Sequence, residues 1–483
     1  MNARTSIAVT FIAFLLLFVM VGTLAALRKQ NTTTDYLLAS RNVNPWLTGL
    51  SAMATTQSGF LFAGVVGFSY KLGLASIWFI VSGTVGHHIS WWLAGKRLRK
   101  ISAQTDAETF SSFLGEKGGR AIAAVSVIIT IAFLGAYAAA QLVAGSKALN
   151  VIFGWNYYFG IVLGAFIVVI YCFSGGIRAS IWTDAAQGIL MVGSLLLLSV
   201  VAVASCGGPV SLSQKLGVID PALVNLNPPS LAWGVLPFAI GWLANGLGVV
   251  GQPHIMVRAM AIDSEDNINL ANNLKSICFG VNSLAATTIG LTGRVLMPEL
   301  MSGGDPEVAL PYLALKLLPV GLVGVMLAGL FAGTISTADS QILSCSATLG
   351  RDIFYATANS YTLAKLWTLL VTILVVAIAI LAPDNVFALV IFSWSALASG
   401  LGPLLVLRVW QKPVTAPVAI AMMLVGIGTA LTWIELKLSD GVNEALPGMA
   451  AGMAVYLIAQ LFTATHVDNK SISVTADNQR SEP

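Results

Sequence analysis

Charged residues are scarce in this sequence. Asp, Glu, Lys and Arg together make up 10% of its 483 residues, whereas soluble domains carry about 25%. Hydrophobic residues make up 57% and occur in long unbroken runs. Neither a water-soluble fold nor a membrane barrel with alternating apolar and polar residues has such runs. The composition therefore predicts an all-α polytopic membrane protein.

Residue types that build metal centres and catalytic sites are few as well. The four cysteines lack CxxC spacing, and the four histidines include the adjacent pair His87 and His88. Neighbouring residues on a helix point about 100° apart, so these two imidazoles cannot share one face. Packing or a helix–helix hydrogen bond is the favoured interpretation. No nucleophile lies at a workable spacing from a base, so neither an enzyme nor an organic cofactor is expected.

The long apolar runs predict about thirteen membrane-spanning helices, because each run is long enough to cross a bilayer. They lie near residues 6–27, 45–70, 75–95, 121–148, 155–175, 184–205, 230–258, 271–296, 318–346, 362–382, 388–408, 415–437 and 443–463. Residues 467–483 are polar and have no apolar periodicity, which predicts a disordered tail.

Positive charge is distributed unevenly between the two faces of this arrangement. If the N-terminus lies outside, eighteen of the 25 Lys and Arg residues fall on the inner side, as the positive-inside rule requires. The basic run at residues 96–100 then lies at the inner surface, and no nucleic-acid partner is needed to explain it. We therefore predict an outside N-terminus and a cytoplasmic C-terminus.

Two of the predicted spans contain residues that suit a helix poorly. The second carries Ala-Thr-Thr-Gln-Ser-Gly at residues 54–59, and the seventh carries three glycines and a proline within residues 245–253. Non-helical backbone at membrane depth survives only where it is buried in protein or lines a cavity. Because the interruptions are five spans apart, they predict an inverted five-plus-five repeat with a transport site between its halves.

The ninth span is unusually rich in oxygen-bearing side chains. Gly333, Ser336, Thr337 and Ser340 are spaced i, i+3, i+4 and i+7, so they form one stripe on a helix, and Asp339 flanks it. A carboxylate inside a membrane span marks an ion or substrate pathway by default. Hydroxyls alone could equally bond their own helix backbone. We expect a cation between this stripe and the interruption in the second span.

Several motifs resemble those of the sodium/solute symporter family, in the pattern of its bacterial sodium/proline symporters. They include residues 182–184 (Trp-Thr-Asp), residues 251–254 (Gly-Gln-Pro-His) with Arg258, and residues 336–341 (Ser-Thr-Ala-Asp-Ser-Gln) followed by residues 351–354 (Arg-Asp-Ile-Phe). The resemblance implies a leucine-transporter-type fold with discontinuous helices. Its parts would be a first helix and loop at 1–44, a ten-helix core at 45–410, two further helices at 411–466 and the tail at 467–483.

The resemblance also implies which residues bind the transported ion and solute. Sodium would bind the carbonyls of Ala54, Gln57 and Gly333 and the hydroxyls of Ser336 and Thr337. A second sodium ion or a proton would be held by Asp184, Ser336, Asp339, Ser340 and Thr56. Asp184 could equally be an acid favoured by the helix dipole at the start of the sixth span. The solute would contact Ser58, Gly59, Tyr137, Gln141, Trp242, Asn245 and Trp394, although each could instead serve in packing.

Two departures from the proline-symporter pattern concern the solute. Thr56 stands where those relatives have an acidic residue, and Asn245 and Val249 stand where they have aromatic residues. We therefore expect a sodium-coupled symporter of the bacterial inner membrane that imports a small organic solute by alternating access. An amino acid such as proline, or a related carboxylate, is the expected class. Proton coupling through Asp339 or Asp184 and a transporter-like sensor are the alternatives, and the oligomeric state is left open, with a monomer as one option.

Overall fold

Helices make up almost all of the structure. The computed structural model describes residues 2–27, 30, 32–116, 119–354, 360–381 and 385–478. Within those ranges, extended pairing is limited to a single bridge between Val43 and Ile262. The expected all-α class is confirmed.

Nineteen α-helices follow one another along the described residues. They are α1 (Ala3–Ala26), α2 (Thr33–Leu38), α3 (Pro45–Phe60), α4 (Val66–Leu72), α5 (Ile77–Gln104), α6 (Phe110–Gly115), α7 (Arg120–Ile129), α8 (Gly135–Phe153), α9 (Tyr157–Ser205), α10 (Pro209–Ile219), α11 (Val235–Leu247), α12 (Pro253–Ala261), α13 (Ile268–Leu296), α14 (Ala309–Leu317), α15 (Val320–Thr348), α16 (Tyr361–Leu381), α17 (Val386–Val409), α18 (Ala416–Glu435) and α19 (Ala445–Asn478). Short 3₁₀ and π-helical turns connect several of them.

Ten helical segments of the described residues are long and apolar enough to cross a membrane, or eleven if α11 and α12 form one bent span. The sequence estimate of thirteen is higher for two reasons. The continuous segment Pro45–Gln104 contains both the second and the third predicted spans, and the fifth corresponds to the shorter apolar helix Tyr157–Ile170. The boundaries of the ten-helix core at 45–410 stay a prediction.

The C-terminal helix is longer than expected. α19 continues to Asn478, through most of the segment at 467–483 for which the sequence favoured disorder. Extending an existing helix requires no new nucleation, so a polar continuation can keep helical geometry. Residues 479–483 lie outside the described residues.

Both expected interruptions are present. In α3, Ser58 has φ 54° and ψ −174°, a backbone conformation that residues other than glycine rarely adopt. A π-helical turn at Leu61–Val65 follows. In the seventh span, α11 passes into a 3₁₀ turn at Gly248–Gly251 and α12 begins at Pro253, with a bend of 58°. Proline has no backbone N–H to continue the preceding helix, which explains the position of the second break.

The interrupted helix α3 lies beside α15, the helix that carries the oxygen stripe. α15 also packs against α1, α8, α9 and α16, and most of α15 is buried, whereas most of α1 is exposed. The first helix is therefore peripheral, whereas α15 is central. This packing brings the stripe to the interruption, as expected.

The connection between α13 and α14 is tied to α8 and α17 by one acidic residue. Glu307 Oε2 lies 2.8 Å from Lys147 Nζ. The two carboxylate oxygens of Glu307 also accept hydrogen bonds from Val386 N and Phe387 N, at 3.0 and 2.7 Å. These N–H groups open α17 and have no partner within that helix, so a carboxylate satisfies them well.

At the opposite surface, α2 is tied to α9 by an ion pair. Asp35 Oδ1 lies 2.5 Å from Arg178 Nη2, and Asp35 also accepts hydrogen bonds from Gln30 N and Ser40 Oγ. Burial alone would raise the pKa of Asp35, but the Arg178 guanidinium and these two donors hold that pKa below its usual value. The carboxylate is therefore ionised at neutral pH and anchors α2.

The contact between α5 and α11 depends on glycine. A Cβ on Gly86 would lie 2.4 Å from Leu243 O, so the two helix backbones touch at this point. We expect Gly86→Ala to lower the free energy of unfolding by about 1–3 kcal/mol through overpacking, measured by thermal unfolding in detergent. Gly193→Ala is the matched control, because a Cβ on Gly193 has open space around it. Equal melting temperatures for the two variants would contradict the prediction.

Candidate functional site

Four of the five predicted sodium ligands come together where α15 crosses α3. Thr337 Oγ1 donates to Thr55 O at 3.1 Å and lies 3.5 Å from Ala54 O. Ser336 Oγ donates to Gly333 O at 3.2 Å. A Cβ on Gly333 would lie 3.2 Å from Ser58 O, so this part of α15 faces the interruption itself. The result is a buried set of neutral oxygen atoms, the ligand type that hard cations prefer.

The fifth predicted ligand, Gln57, has its side chain turned away from this cluster. Gln57 Nε2 donates to Phe279 O at 2.8 Å, and Gln57 Oε1 accepts from Asn282 Nδ2 at 2.7 Å. Its carbonyl accepts from Leu61 N, so its role as an ion ligand stays a prediction. The carbonyl that contacts Thr337 most closely belongs instead to Thr55, which the sequence analysis did not select.

A second polar cluster surrounds Asp184. Asp184 Oδ2 accepts from Ser51 Oγ at 2.7 Å, from Thr55 Oγ1 at 3.3 Å and from Arg258 Nη2 at 2.9 Å. The same Nη2 of Arg258 donates to Ser340 Oγ. The side chains of Arg258 and Asp184 are 1% and 0% exposed. These two residues therefore form a fully buried ion pair.

This arrangement corrects the helix-dipole interpretation of Asp184. The backbone departs from helical geometry at Gly176, where φ is 60°, and Asp184 lies two turns beyond that point, inside the continuous helix α9. Its charge is balanced by Arg258 and not by a helix terminus. In the sequence, Arg258 stood out only as part of a motif, although a buried carboxylate in a span signals a buried cation nearby.

The other members of the predicted second site are only partly assembled. Asp339 Oδ1 accepts from Ser340 Oγ at 2.9 Å and from Ser180 Oγ at 3.3 Å. Ser340 thus links Asp339 to the Arg258 guanidinium. Thr56 is not part of this cluster, because it lines a separate cavity. A second cation at Asp184 would meet the guanidinium already hydrogen-bonded there.

That cavity lies between α3, α5, α8, α11, α13 and α17. Three of the predicted solute contacts line it, namely Tyr137, Asn245 and Trp394. Trp394 Nε1 donates to Asn245 O at 2.9 Å, and Asn245 Nδ2 donates to Asn443 Oδ1 at 3.2 Å. These bonds hold the far wall of the cavity in place.

The remaining predicted solute contacts lie behind the lining. Ser58 Oγ is 3.4 Å from Tyr137 OH, and Gly59 N donates to Gln141 Oε1 at 2.8 Å. Trp242 packs edge-on against Phe79, with ring centroids 4.6 Å apart. These residues support lining residues, whereas their direct contact with a solute stays a prediction.

The two adjacent histidines of α5 have different surroundings. His88 Nδ1 lies 3.2 Å from Ser276 Oγ of α13, which confirms the expected helix–helix hydrogen bond. His87 lines the cavity, and its ring packs against those of Phe279 and Trp394. The sequence interpretation of His87 as packing is therefore incomplete. The sequence did indicate that the two histidines have different surroundings, because adjacent residues on a helix point to different faces.

The family model for the sodium:solute symporter family matches residues 36–426. This chain belongs to that family. Among curated relatives, the symporter is 29% identical over 450 residues to the high-affinity proline transporter PutP of Bacillus subtilis, covering 91% of this chain and 94% of that protein. It is also 29% identical over 479 residues to a sodium/proline symporter of Staphylococcus aureus, covering 94% and 92%.

Solved structures agree on the fold of the symporter. A Na⁺-coupled sialic acid symporter in its substrate-bound outward-open state matches with a TM-score of 0.77 at 19% identity, covering 94% of this chain and 98% of that chain. The nucleobase-cation-symport-1 transporter Mhp1 matches with a TM-score of 0.59 at 13% identity, covering 91% and 96%. The leucine-transporter-type fold is confirmed. The symporter is a multi-pass membrane transporter that couples solute to sodium by alternating access, and it is not an enzyme.

Proposed function

We propose that the symporter imports a small organic solute, an amino acid such as proline or a related carboxylate, into the bacterial cell. Sodium binds between α3 and α15, and the solute binds in the cavity that Tyr137, Asn245 and Trp394 line. The observation that carries this proposal is that one short segment, residues 54–58, contributes to both places. Ala54 and Thr55 present carbonyls to Thr337, while Thr56 and Gln57 line the cavity.

This shared segment supplies the coupling. The carbonyls near Ser58 are available because the backbone leaves helical geometry there, and a cation that binds them stabilises that conformation. The same conformation sets the positions of Thr56 and Gln57 on the cavity wall. Each ligand therefore favours the state that the other needs, which makes the coupling between them reciprocal.

The proposed second cation or proton site involves Asp184, Asp339 and Ser340. Arg258 donates hydrogen bonds to both Asp184 and Ser340. A proton or ion that binds at Asp339 would therefore change the electrostatic energy of the buried ion pair. The proposed orientation, with the N-terminus outside and the C-terminus in the cytoplasm, is supported by the distribution of Lys and Arg.

Uptake by proteoliposomes tests this function. We expect labelled proline, or a short carboxylate in the same panel, to accumulate only when an inward sodium gradient is imposed, because the cation stabilises the backbone conformation that positions Thr56 and Gln57 on the cavity wall. The control imposes a proton gradient without sodium. Accumulation driven by protons alone would replace sodium coupling with proton coupling through Asp339 or Asp184. Solute binding without any accumulation would indicate a sensor.

A further inference from the structure

His87 lines the solute cavity and carries a buried polar atom without a hydrogen-bond partner among the described residues. Its side chain is 5% exposed, and its Nδ1 has no hydrogen-bond partner among the described residues. The centroid of its ring lies 4.4 Å from that of Phe279 and 5.5 Å from that of Trp394, at interplanar angles of 30° and 26°. A buried polar atom without a partner is costly. The site is therefore prepared for a partner that the protein does not provide.

The other polar groups around the cavity are neutral, and several are already engaged. Gln57 is bonded to Asn282, and Asn245 is bonded to Asn443. No Asp or Glu is among the residues that the structure places around this cavity, so a solute ammonium group finds no carboxylate there. The lining thus offers a hydrogen-bond donor to a solute, but no acid.

A lysine lies beside the backbone of His87. On α13, Lys275 is four residues before Phe279, which lines the cavity, so the two share one helix face. Lys275 is 1% exposed, and its Nζ donates to His87 O at 3.0 Å and lies 4.5 Å from the ring centre of Trp91. Within the described ranges, Lys275 has no ion pair with a carboxylate.

A buried ammonium group without a counter-charge is unfavourable in a membrane protein. An anion brought into the cavity beside His87 would supply that charge. His87 Nδ1 can donate to such an anion, and Lys275 Nζ lies beside the backbone of the same residue. Apolar residues, among them Phe60, Phe79 and Val390, form much of the remaining wall.

We propose that His87 is a specificity-determining residue that donates from Nδ1 to the carboxylate of the transported solute, next to Lys275. The solute class is a small carboxylate with an apolar body that lies against the apolar wall. This inference rests on the proposed function, because it assigns a ligand to the same cavity. It adds the residue that recognises the acid group of the solute. It also explains why the described cavity wall carries no acidic residue, since a simple carboxylate has no ammonium group to bind.

Two substitutions at His87 separate the hydrogen bond from the packing. His87→Phe keeps a ring that can stack on Phe279 and Trp394 but removes the nitrogen. His87→Asn places an amide N–H close to the position of Nδ1 and removes the ring. Lys275→Met keeps a long apolar stem and removes the charge.

The probes are two pairs that share a carbon skeleton, L-proline with L-prolinamide and propionate with propionamide. Binding to the purified full-length protein is measured calorimetrically in sodium buffer. We expect at least one carboxylate to bind about tenfold more tightly than its amide, as a hydrogen bond to a charged group predicts. His87→Phe should remove that preference, His87→Asn should retain most of it, and Lys275→Met should reduce it.

An unchanged preference for the carboxylate in His87→Phe would overturn the inference, as would equal losses in the Phe and Asn variants. Equal binding of acid and amide by the unaltered protein, or no binding of either carboxylate, would also overturn it. The proposed function is judged separately by uptake. If the unaltered protein and His87→Phe both accumulate proline or propionate equally well with sodium, only the inference about His87 fails.

Discussion

Arg258→Met is expected to lower the free energy of unfolding by about 3–5 kcal/mol, because it leaves a buried carboxylate without its counter-charge. Asp184 is fully buried, and the 2.9 Å contact with Arg258 Nη2 is its single ion pair in the part of the chain that the structure describes. The hydroxyls of Ser51 and Thr55 can solvate the carboxylate only in part. Thermal or denaturant unfolding of the purified protein in detergent measures the loss.

A double substitution shows whether the loss comes from the unpaired charge. In Asp184→Asn with Arg258→Met, neither charge remains, so the double variant should be more stable than Arg258→Met alone. Lys96→Met is the matched control, because Lys96 pairs with Asp266 at the exposed surface and its removal should leave the melting temperature unchanged. A double variant no more stable than Arg258→Met would show that the pair does not act through charge compensation.

Thr337→Val is expected to raise the half-saturating sodium concentration about thirtyfold, equivalent to about 2 kcal/mol. Valine keeps the shape of threonine but removes the hydroxyl that faces Ala54 O and Thr55 O. Without that oxygen, a cation at the interruption loses a ligand from α15, and its dehydration is compensated less completely. Initial uptake rates, measured over a range of sodium concentrations at saturating solute, give this value.

Thr337→Ser retains the hydroxyl and should stay close to the unaltered protein. Thr334→Val controls for loss of a threonine hydroxyl elsewhere on α15, because Thr334 Oγ1 donates to Phe331 O within its own helix. Its sodium dependence should change little. If Thr337→Val and Thr334→Val raise the half-saturating concentration equally, the ion does not bind at Thr337.

The features of the fold that could be predicted are those determined by residues close together in sequence. Glycine and proline marked the break before α12, and the Thr-Thr-Gln-Ser-Gly run marked the break at Ser58. The spacing of Gly333, Ser336 and Thr337 set the face of α15 that meets α3. The length of α9 was not predictable in this way, because Gly176 takes a positive φ without ending the helix.

The site was less predictable wherever a side chain's role depends on a distant partner. Arg258 lies 74 residues from Asp184 in sequence, and no local pattern records their contact. Gln57 turned to Asn282 because a buried amide needs partners, and α13 provided them. His87 and His88 share a sequence context, so only the packing of α5 against α13 separates the one that faces the cavity.

The backbone contact between α5 and α11 has a mechanical consequence. The two helix backbones touch at Gly86, so no layer of side chains lies between them that would let one helix slide past the other. We therefore expect α5 and α11 to move as a rigid pair between the outward-open and inward-open states. α5 carries His87 and α11 carries Asn245, so these two walls of the cavity would move together and keep their spacing. The solute would then be released by displacement of this pair relative to α8, without separation of the pair itself.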